Sequence, residues 1–459
     1  MSIRVSALCL VLAATSACSQ APPHQPVLLI SIDGMRPDYV TRADEHHLNI
    51  PTLRYILASG TYADGVIGVL PTITYPSHTT LITGVWPDQH GILDNIRFDP
   101  ERKFSGAWYW YAAQIKVPTL WDAAHASGLH TASVGWPVTV GATSIDDSIP
   151  EYWRSADPGN SSNPDDLLLM NAISRPDGEL ARIAARTSKP YMMGNDTSLA
   201  GDETKTIYSL DILRQHRPQF MTIHLSSLDE AEHLHGPFSP EADADLEGID
   251  SMIQRLTAQE LAIYPNAVIS IVSDHGFARI QHDVNLTVPF VDAGLIQLEK
   301  DARGKLTVKS WQAEPWIAGC VAPIILHDTA DTATRNKVNL MLQHLASDPA
   351  NGIEDVLDHS ATVALGGFPE ADFLVTLRPS YCNGTALTGP LVTPSTEQGA
   401  HGYNIATTAA MRSAFFITGH GIASGKDLGI IDMRQIAPTL ASLLGVPLAT
   451  ATYPVLNIH

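Results

Sequence analysis

The chain has 459 residues, of which 44% are hydrophobic and 17% are charged, and its formal net charge is −20 at pH 7. This composition excludes a disordered or fibrous protein, because apolar residues are plentiful enough for a core and no low-complexity run occurs. The acidic excess argues against a protein that binds long nucleic acid, which needs a basic surface for phosphate contacts. The acidic composition is compatible with a small anionic substrate if the binding site supplies positive charge locally.

Residues 1–17 have the pattern of a secretory signal peptide, because Arg4 precedes an apolar run that is too short to cross a bilayer and small residues follow that run. Cys18 then follows Thr-Ser-Ala, which is similar to a bacterial lipobox. The sequence therefore predicts export across the inner membrane, to the periplasm or to the bacterial envelope through a lipid anchor at Cys18. Cleavage without lipidation is the alternative. Residues 18–26 are polar, contain prolines and are predicted to be a tether.

Two cysteines, Cys320 and Cys382, are left when the signal peptide and Cys18 are set aside. In an oxidising compartment such a pair can form a single disulfide. Two buried free thiols are the alternative, and the spacing of the two residues does not decide between these interpretations.

Short apolar runs that end at turn residues recur along the chain and predict fully buried strands of a parallel sheet. These runs are Val27–Ile32, Phe220–Leu225, Ala267–Val272 and Phe415–Thr418. Amphipathic helical stretches such as 205–216 and 241–261 alternate with them, and a C-terminal helix is predicted over 433–447. The alternation predicts an α/β fold with helices on both faces of the sheet.

The length does not require three domains, although a typical domain has about 150 residues. Residues 27–278 and 396–459 are predicted to form one large catalytic core. Residues 279–395 lose the regular alternation of strand and helix, so a smaller inserted subdomain is predicted there. Residues 150–200 are rich in Asn, Asp, Ser and Pro and are predicted to be loops or an excursion over the active face.

Potential metal ligands follow three of the predicted strands. Asp33 follows the first, Asp229 and His233 follow the second, and Asp274 and His275 follow the third. Asp229 and His233 are four residues apart and would share one face of a helix. In open α/β sheets ligands bind beyond the carboxyl ends of the strands, and mixed carboxylate and imidazole ligands favour Zn²⁺. Each residue alone could be an ordinary turn or surface residue, so the combination carries the interpretation.

Two further elements complete this set. Residues 71–84 predict a loop that enters a helix, where the Thr74 hydroxyl would lie beside free backbone N–H groups and the positive end of the helix dipole. Thr74 is therefore a candidate nucleophile at a phosphate site, with an N-cap threonine as the alternative. His401 lies in a Gly-rich stretch and is a candidate ligand or a turn histidine. Two zinc ions about 4 Å apart can hold an in-line phosphoryl displacement from both ends.

Five blocks of this sequence resemble, in the same order, those of the nucleotide pyrophosphatase/phosphodiesterase family of the alkaline phosphatase superfamily. The blocks are SIDGMRPDY (31–39), PTITYPSHTTLITGVWPDQHGILDN (71–95), LDEAEHLHGP (228–237), VSDHGF (272–277) and GAHGYN (399–404). The resemblance implies an α/β, alkaline-phosphatase-like three-layer sandwich with a central mostly parallel sheet and a smaller inserted subdomain. The Cys-rich and nuclease-like modules of animal members have no counterpart, so a minimal bacterial-type form is expected.

The resemblance also implies two zinc ions and a role for each matching residue. One ion would be held by Asp229, His233 and His401. The other would be held by Asp33, Asp274, His275 and the Thr74 oxygen. Thr74 would attack phosphorus and form a covalent phospho-threonine intermediate, which water then resolves.

Three residues are implied to contact the substrate. Asn95, with the Thr74 backbone N–H, would hold a non-bridging phosphoryl oxygen. Tyr75 takes the place of an aromatic residue that lines the substrate pocket in the family. Tyr152 is a candidate for the opposing wall, with a loop aromatic packed on the core as its alternative.

The implied activity is hydrolysis of phosphodiester or phosphoanhydride bonds in a small-molecule or nucleotide substrate. Ile73 and Ser77 depart from residues that other members carry, which leaves the natural substrate open. A phosphate monoesterase or a phosphonate hydrolase on the same scaffold is the alternative. A sulfatase would need a C/S-x-P-x-R motif, which 320–323 does not match. A binding protein on an inactive scaffold would have lost a ligand position, and all of them are present.

Overall fold

The structure is a computed structural model that describes residues 24–101, 108–152, 164–191, 196–302 and 304–459. The predicted signal peptide and Cys18 lie outside the described residues. Among the helices of the described residues, none combines the length and the apolar character that a bilayer crossing requires.

The strands of the described residues are β1 Val27–Ile32, β2 Thr61–Tyr62, β3 Gly65–Ile67, β4 Thr131–Val134, β5 Asp147–Ile149, β6 Phe220–Leu225, β7 Val268–Val272, β8 Ala278–Val284, β9 Ile296–Lys300, β10 Leu306–Trp311, β11 Ala313–Pro315, β12 Val321–Leu326, β13 Ile353–Asp358, β14 Phe373–Leu377, β15 Ser380–Asn383, β16 Val392–Pro394, β17 Gly399–Ala400, β18 Phe415–Gly419, β19 Lys426–Asp427 and β20 Ile430–Asp432.

The helices of the described residues are α1 Asp38–Thr41, α2 Pro51–Ser59, α3 Thr74–Thr83, α4 Pro87–His90, α5 Leu120–Ala126, α6 Pro164–Ile173, α7 Glu179–Thr187, α8 Leu199–His216, α9 Ser227–His235, α10 Pro240–Ile263, α11 Thr287–Asp292, α12 Thr332–Ala346, α13 His359–Ala364 and α14 Ile436–Leu444. Single 3₁₀ turns are formed by Ala112–Gln114, Pro349–Asn351, Ala409–Met411 and Met433–Gln435.

Eight strands form the central sheet in the order β19-β2-β18-β7-β1-β6-β4-β5. Five neighbouring strands, from β7 to β5, are parallel, which confirms the predicted mostly parallel sheet. β18 runs antiparallel to β7. Its apolar run did not reveal this direction, because a strand buried on both faces has the same composition in either orientation.

The core lies on both faces of this sheet, as the uninterrupted apolar run of β1 predicted. Leu28, Ile30 and Ile32 pack in one cluster with residues of α2, α8 and α10. Val27 and Leu29 pack in a second cluster with residues of α3, α5 and α14. Because successive side chains of a strand point to opposite faces, the two clusters form the two interfaces of a three-layer sandwich.

The predicted helices over 205–216, 241–261 and 433–447 are confirmed as α8, α10 and a 3₁₀ turn followed by α14. The last helix ends as predicted at Gly445, whose φ of +66° is readily adopted by glycine. The prediction of loops over 150–200 is wrong for two segments, which form α6 and α7. α7 consists mostly of good helix formers and has a buried stripe that includes Leu180 and Ile183, so the helical signal was present and was obscured by the Asn, Asp, Ser and Pro residues around it.

Residues 279–395 contain a second, four-stranded antiparallel sheet in the order β11-β12-β14-β13. This sheet has its own apolar cluster, to which α12 contributes Val338 and Leu342. β8 pairs with β15 and β16 and also with β17, which lies directly before His401. The segment therefore contacts the loop that carries a predicted ligand, while the domain boundaries at 279 and 395 stay a prediction.

A disulfide joins Cys320 to Cys382 across 62 positions of the chain. The Cys320 N–H donates a hydrogen bond of 3.2 Å to the carbonyl oxygen of His401. Gly402 has a φ of +92°, and a Cβ at this position would lie 2.8 Å from the Cys320 nitrogen. The bridge is thus packed against the backbone of the His401 loop, where only glycine allows so close an approach.

We expect the Cys320→Ser/Cys382→Ser double variant to lose about 4 kcal/mol of unfolding free energy, because a crosslink that closes a loop of this length restricts the unfolded chain. Denaturant unfolding of the oxidised protein and of the double variant measures the difference. Reduction of the wild-type disulfide should cause a similar loss of unfolding free energy. A loss below about 1 kcal/mol would contradict the expectation.

A histidine–carboxylate cluster lies at the amino ends of β4 and β5. The His130 Nε2 and the Asp147 carboxylate are 2.6 Å apart, and the His216 Nδ1 bonds the other oxygen of the same carboxylate. The hydrogen bond with Asp147 raises the pKa of His130, against the opposing effect of burial. This cluster ties the end of α8 to the edge of the central sheet.

We expect His130→Gln to lower the unfolding free energy at pH 6 and to have a smaller effect near pH 9. A histidine with a raised pKa in the folded state stabilises the fold below its unfolded pKa of about 6.5, and this contribution is lost as the pH rises through the folded pKa. Urea unfolding at the two pH values measures the difference, with His344→Gln on α12 as the control. Equal destabilisation at both pH values would disprove the assignment.

Candidate active site

The carboxyl ends of β1, β6 and β7 lie side by side and bring the predicted ligands together. Asp33 follows β1, and its backbone N–H donates to the carbonyl oxygen of Leu225 at 2.9 Å. Gly34 then turns the chain with a φ of +74°, and its N–H donates to Asp274 Oδ1 at 3.1 Å. A Cβ at Gly34 would meet Glu232 Oε2 at 2.8 Å, so this turn depends on glycine.

α9 carries two of the predicted ligands, and its first turn is held by Asp202 of α8. The Asp202 carboxylate accepts hydrogen bonds from the N–H groups of Ser226 and Ser227 at 3.0 and 2.8 Å. A carboxylate at this end of a helix satisfies free N–H groups and complements the dipole. One turn further on, Asp229 Oδ2 lies 3.6 Å from His233 Nε2, as the spacing of four residues predicted.

The predicted ligands converge in two groups, and within each group the ligand atoms lie within 4.8 Å of one another. One group consists of Asp229, His233 and His401, and the other of Asp33, Asp274 and His275. The rings of His275 and His401 stack with their centroids 3.7 Å apart, so the two groups adjoin.

Each of the three histidines in these groups bonds a backbone carbonyl oxygen through Nδ1 and presents Nε2 to the carboxylates. The bonds are His233 to Gly399 at 3.1 Å, His401 to Thr72 at 3.1 Å and His275 to Gly276 at 3.2 Å. A carbonyl oxygen can only accept, so Nδ1 carries the proton and Nε2 is left with its lone pair. This is the arrangement that metal-binding histidines commonly have.

Each carboxylate in these groups leaves one buried oxygen without a hydrogen-bond partner among the described residues, although the Asp229 side chain as a whole is 20% exposed. Asp33 Oδ1, Asp229 Oδ1 and Asp274 Oδ2 are buried and have no hydrogen-bond partner there, and the same holds for His275 Nε2. Burial, and then the charge of Asp274, raise the pKa of Asp33. Burial raises the pKa of Asp229 to about 6, with His233 opposing the shift. Uncompensated buried carboxylates are unfavourable, and bound cations would relieve this.

The spacing of the ligand atoms also fits metal ions. Carboxylate oxygens and histidine nitrogens are 3.2 to 3.6 Å apart in the two groups. Metal–ligand bonds of about 2.0–2.1 Å in a tetrahedron place neighbouring ligands about 3.3 Å apart. His130 and Asp147 are closer, at 2.6 Å, which is a direct hydrogen bond. The predicted ligand sets therefore suit zinc. His130, Asp147 and His216 also lie within 4.8 Å of one another, but there the carboxylate bonds both histidines directly.

Thr74 is the first residue of α3 and lines a cavity of about 260 Å³. The N-cap position belongs to Ile73, so Thr74 is not a capping residue. The N–H of Tyr75 donates to Asn95 Oδ1 at 2.8 Å, which orients the Asn95 amide and leaves Nδ2 as its donor. Other predicted residues line the same cavity, namely Asp33, Tyr75, Asn95, Asp229, His233 and His401.

His78 was missed by the sequence analysis although it supports both Thr74 and a ligand. Its Nδ1 donates to the Thr74 carbonyl oxygen at 2.8 Å and lies 3.5 Å from Asp274 Oδ2. Its Nε2 accepts from the Ser31 hydroxyl at 2.9 Å. Burial lowers the pKa of His78 to about 3, which keeps the ring neutral. Its position four residues after Thr74 on the same helix was the available signal.

Aromatic residues form one wall of the cavity. The Tyr75 ring contacts Trp108 edge-on, with centroids 5.4 Å apart, and both residues line the cavity. Tyr152 instead packs against Trp110 at 5.1 Å and is not among the residues that line the cavity. Its position agrees with the alternative of a loop aromatic packed on the core. The aromatic run Trp108–Trp110 is the sequence signal that would have indicated this wall of the cavity, and it was overlooked.

Lys205 of α8 lines the same cavity and is nearly buried. Its Nζ donates to Asp202 Oδ1 at 3.0 Å and to Ser226 Oγ at 2.8 Å. Among the described residues that line the cavity, this is the only Lys or Arg. Its charge is largely paired with Asp202.

Comparison with known proteins assigns the family. Residues 27–374 match the family model for type I phosphodiesterase/nucleotide pyrophosphatase. This match covers most of the chain, and the chain therefore belongs to the type I phosphodiesterase/nucleotide pyrophosphatase family, as the five sequence blocks predicted.

Curated relatives match over part of their length. Human ectonucleotide pyrophosphatase/phosphodiesterase family member 1 is 26% identical over 268 residues, which are 55% of this chain and 24% of that protein. The venom phosphodiesterase of Naja atra is 25% identical over 276 residues, which are 58% of this chain and 28% of that protein. The chain thus spans about a quarter of the length of these relatives.

The fold has close counterparts among solved structures. An inactive murine ectonucleotide pyrophosphatase/phosphodiesterase 5 in complex with AMP has a TM-score of 0.62 and 18% sequence identity, over 94% of this chain and 97% of that chain. This likeness confirms the alkaline-phosphatase-like α/β sandwich with a mostly parallel central sheet.

We expect Zn²⁺ to stabilise the folded protein, because it compensates buried carboxylates that the unfolded chain exposes to water. A ligand that binds only the folded state contributes about 2.7 kcal/mol at a concentration 100 times its Kd. Thermal unfolding with added Zn²⁺ and with a chelator measures this, and Asp274→Asn should lose most of the shift. His130→Gln should retain it, and an unfolding temperature that is insensitive to Zn²⁺ would contradict the metal assignment.

Proposed function

We propose that this chain is a di-zinc phosphodiesterase or nucleotide pyrophosphatase that works through a covalent phospho-threonine intermediate on Thr74. One observation carries the proposal: Thr74, at the start of a helix, lines the same cavity as Asp229, His233 and His401 of one candidate ligand group and Asp33 of the other. The family assignment and the unpaired ligand atoms support it.

The zinc ligands are proposed to be the two groups described above together with the Thr74 oxygen. Asp229, His233 and His401 would hold one ion, and Asp33, Asp274, His275 and Thr74 the other. When bound, the zinc ions favour deprotonation of the nucleophile and stabilise negative charge on the attacking and leaving oxygens. Against three carboxylates, two divalent ions leave a net charge of about +1, which attracts a phosphate ester.

The chain's own groups position the reaction. The Thr74 Oγ forms a bond to phosphorus, and the bond from phosphorus to the leaving oxygen breaks on the opposite side. The Thr74 N–H and Asn95 Nδ2 donate to a non-bridging oxygen, on which negative charge is held. His78 holds the Thr74 carbonyl oxygen and so fixes the first turn of α3. The leaving oxygen takes up the proton that Thr74 loses. Water then attacks the phosphorus, the bond from Thr74 Oγ to phosphorus breaks, Oγ takes a proton from that water, and a phosphate monoester is released.

The substrate is proposed to be a small phosphodiester or nucleotide whose flat or apolar part lies against Tyr75 and Trp108. Both rings line the cavity next to Thr74. The murine relative in complex with AMP supports a nucleoside phosphate. A net charge of −20 argues against long nucleic acid as a substrate. We further propose that the enzyme acts in the periplasm or anchored to the envelope at Cys18, where a disulfide is stable.

We expect Thr74→Ala to reduce kcat/KM for an aryl phosphodiester by at least about 1,000-fold, since the attacking oxygen is removed, and Thr74→Ser to retain part of the activity. Steady-state kinetics and the zinc content of each purified variant measure this. Thr307→Ala on β10 is the matched control and should behave as the wild type. Full hydrolysis by Thr74→Ala would rule out the nucleophile assignment.

A phosphate monoesterase or a phosphonate hydrolase is the second candidate, and Lys205 is the observation that favours it. Two of the three N–H groups of its Nζ bond Asp202 and Ser226, and the third is proposed to donate to the additional charged oxygen of a monoester. The ratio of kcat/KM for an aryl diester, an aryl monoester and a phosphonate decides between the candidates, because preference is a difference in transition-state binding. A preference for the monoester that disappears in Lys205→Met would establish the second candidate.

A further inference from the structure

We infer that Glu151 and His224 are positioning residues that couple the aromatic wall at Tyr75 to the candidate metal ligand Asp33. The inference rests on the proposed function for its catalytic meaning. Neither residue is among the candidate site residues that the sequence predicts, and neither belongs to one of the five sequence blocks.

The coupling consists of four consecutive hydrogen bonds. The Tyr75 N–H donates to Asn95 Oδ1 at 2.8 Å, and the Tyr75 hydroxyl donates to Glu151 Oε1 at 2.8 Å. His224 Nδ1 lies 3.1 Å from Glu151 Oε2, and His224 Nε2 lies 2.9 Å from Asp33 Oδ2. A continuous chain of contacts thus runs from the predicted phosphoryl donor Asn95 to the predicted ligand Asp33.

This row of hydrogen bonds lies in the protein interior, where hydrogen bonds are strong and costly to break. Tyr75 and His224 are each 1% exposed, and Asp33 is 3% exposed. Each ring nitrogen of His224 faces a carboxylate, and Nδ1 also lies 3.1 Å from the Gly135 carbonyl oxygen. Rotation of the ring would leave Glu151 Oε2 and Asp33 Oδ2 without their histidine partner, so the ring holds these two oxygens at a fixed separation.

His224 determines which oxygen of Asp33 is presented to a metal ion. Oδ2 is held by His224, while Oδ1 is buried without a hydrogen-bond partner among the described residues and lies 3.3 Å from His275 Nε2. Partners of this kind orient metal ligands, and their replacement commonly weakens metal binding about 10- to 100-fold.

Glu151 transmits this constraint to the substrate side. Its two oxygens are divided between His224 and the Tyr75 hydroxyl, so the Tyr75 ring and the Asp33 carboxylate are held by one side chain. The backbone N–H of Tyr75 in turn orients Asn95. The Tyr75 hydroxyl should therefore influence zinc affinity, although it is separated from Asp33 by two side chains.

If Tyr75 only lined the substrate cavity, loss of its hydroxyl would have a different effect on the kinetics and on zinc binding. The aromatic ring alone would then contact the substrate, and loss of the hydroxyl would change KM and leave zinc affinity and kcat as they are. Zinc affinity therefore separates the two interpretations without any need for turnover.

The experiment compares Tyr75→Phe, His224→Gln, the double variant and a control. Zn²⁺ affinity is measured by competition with a chromophoric chelator, and kcat and KM are measured on an aryl phosphodiester. Tyr208→Phe is the matched control, because this buried hydroxyl donates to the Lys189 carbonyl oxygen at 2.8 Å and does not line the cavity.

We expect His224→Gln to weaken zinc binding about 10- to 100-fold and Tyr75→Phe about 3- to 10-fold, with kcat reduced more than KM is changed. The double variant should weaken it by less than the product of the two single effects, because the residues act through one chain. Tyr208→Phe should stay within about twofold of the wild type. If His224→Gln does not fold, Glu151→Gln, which keeps the shape and removes the charge, should give a weakening similar to that of Tyr75→Phe.

Wild-type zinc affinity in both Tyr75→Phe and Glu151→Gln, with only KM altered, would overturn the inference. A wild type that binds zinc but hydrolyses no phosphate ester would contradict the proposed function and leave the coupling to be judged by zinc affinity alone. A wild type that binds no zinc would overturn both.

Discussion

The architecture of the site depends on one electrostatic constraint, which is that three carboxylates at one edge of the sheet each have a buried oxygen without a hydrogen-bond partner among the described residues. Asp33, Asp229 and Asp274 lie at the carboxyl ends of three adjacent parallel strands, where the interior offers them few donors. Such a group is unfavourable unless cations compensate it. The histidines with Nε2 turned inward are the remaining ligands of the two proposed zinc sites.

The surrounding residues serve to hold this charged group in one geometry. Asp202 satisfies the first N–H groups of α9, and Lys205 in turn balances Asp202. His78 links the first turn of α3 to the strand that precedes Asp33, through the Ser31 hydroxyl. The net charge of −20 is therefore mainly a property of the surface, while the proposed zinc ions make the cavity itself suited to a phosphate ester.

Much of the central sheet and the positions of the candidate ligands could be predicted from sequence. The apolar runs of β1, β6 and β7 are local signals, because strands buried on both faces need apolar residues at every position. The direction of β18 could not be predicted in this way, since orientation leaves no trace in composition. The segments that form α6 and α7 were predicted as loops, because short helices depend on tertiary packing more than on their own helix propensity.

The sequence alone determined the fold class and the set of candidate ligands, because apolar runs followed by Asp and His are local patterns. The family followed from the resemblance of five sequence blocks. Only the tertiary structure decided that Trp108 and not Tyr152 lines the cavity, and that Tyr75, Glu151, His224 and Asp33 form one chain. These partners are up to 191 positions apart in sequence. Their contacts arise from the docking of separate strands and loops, which no local pattern specifies.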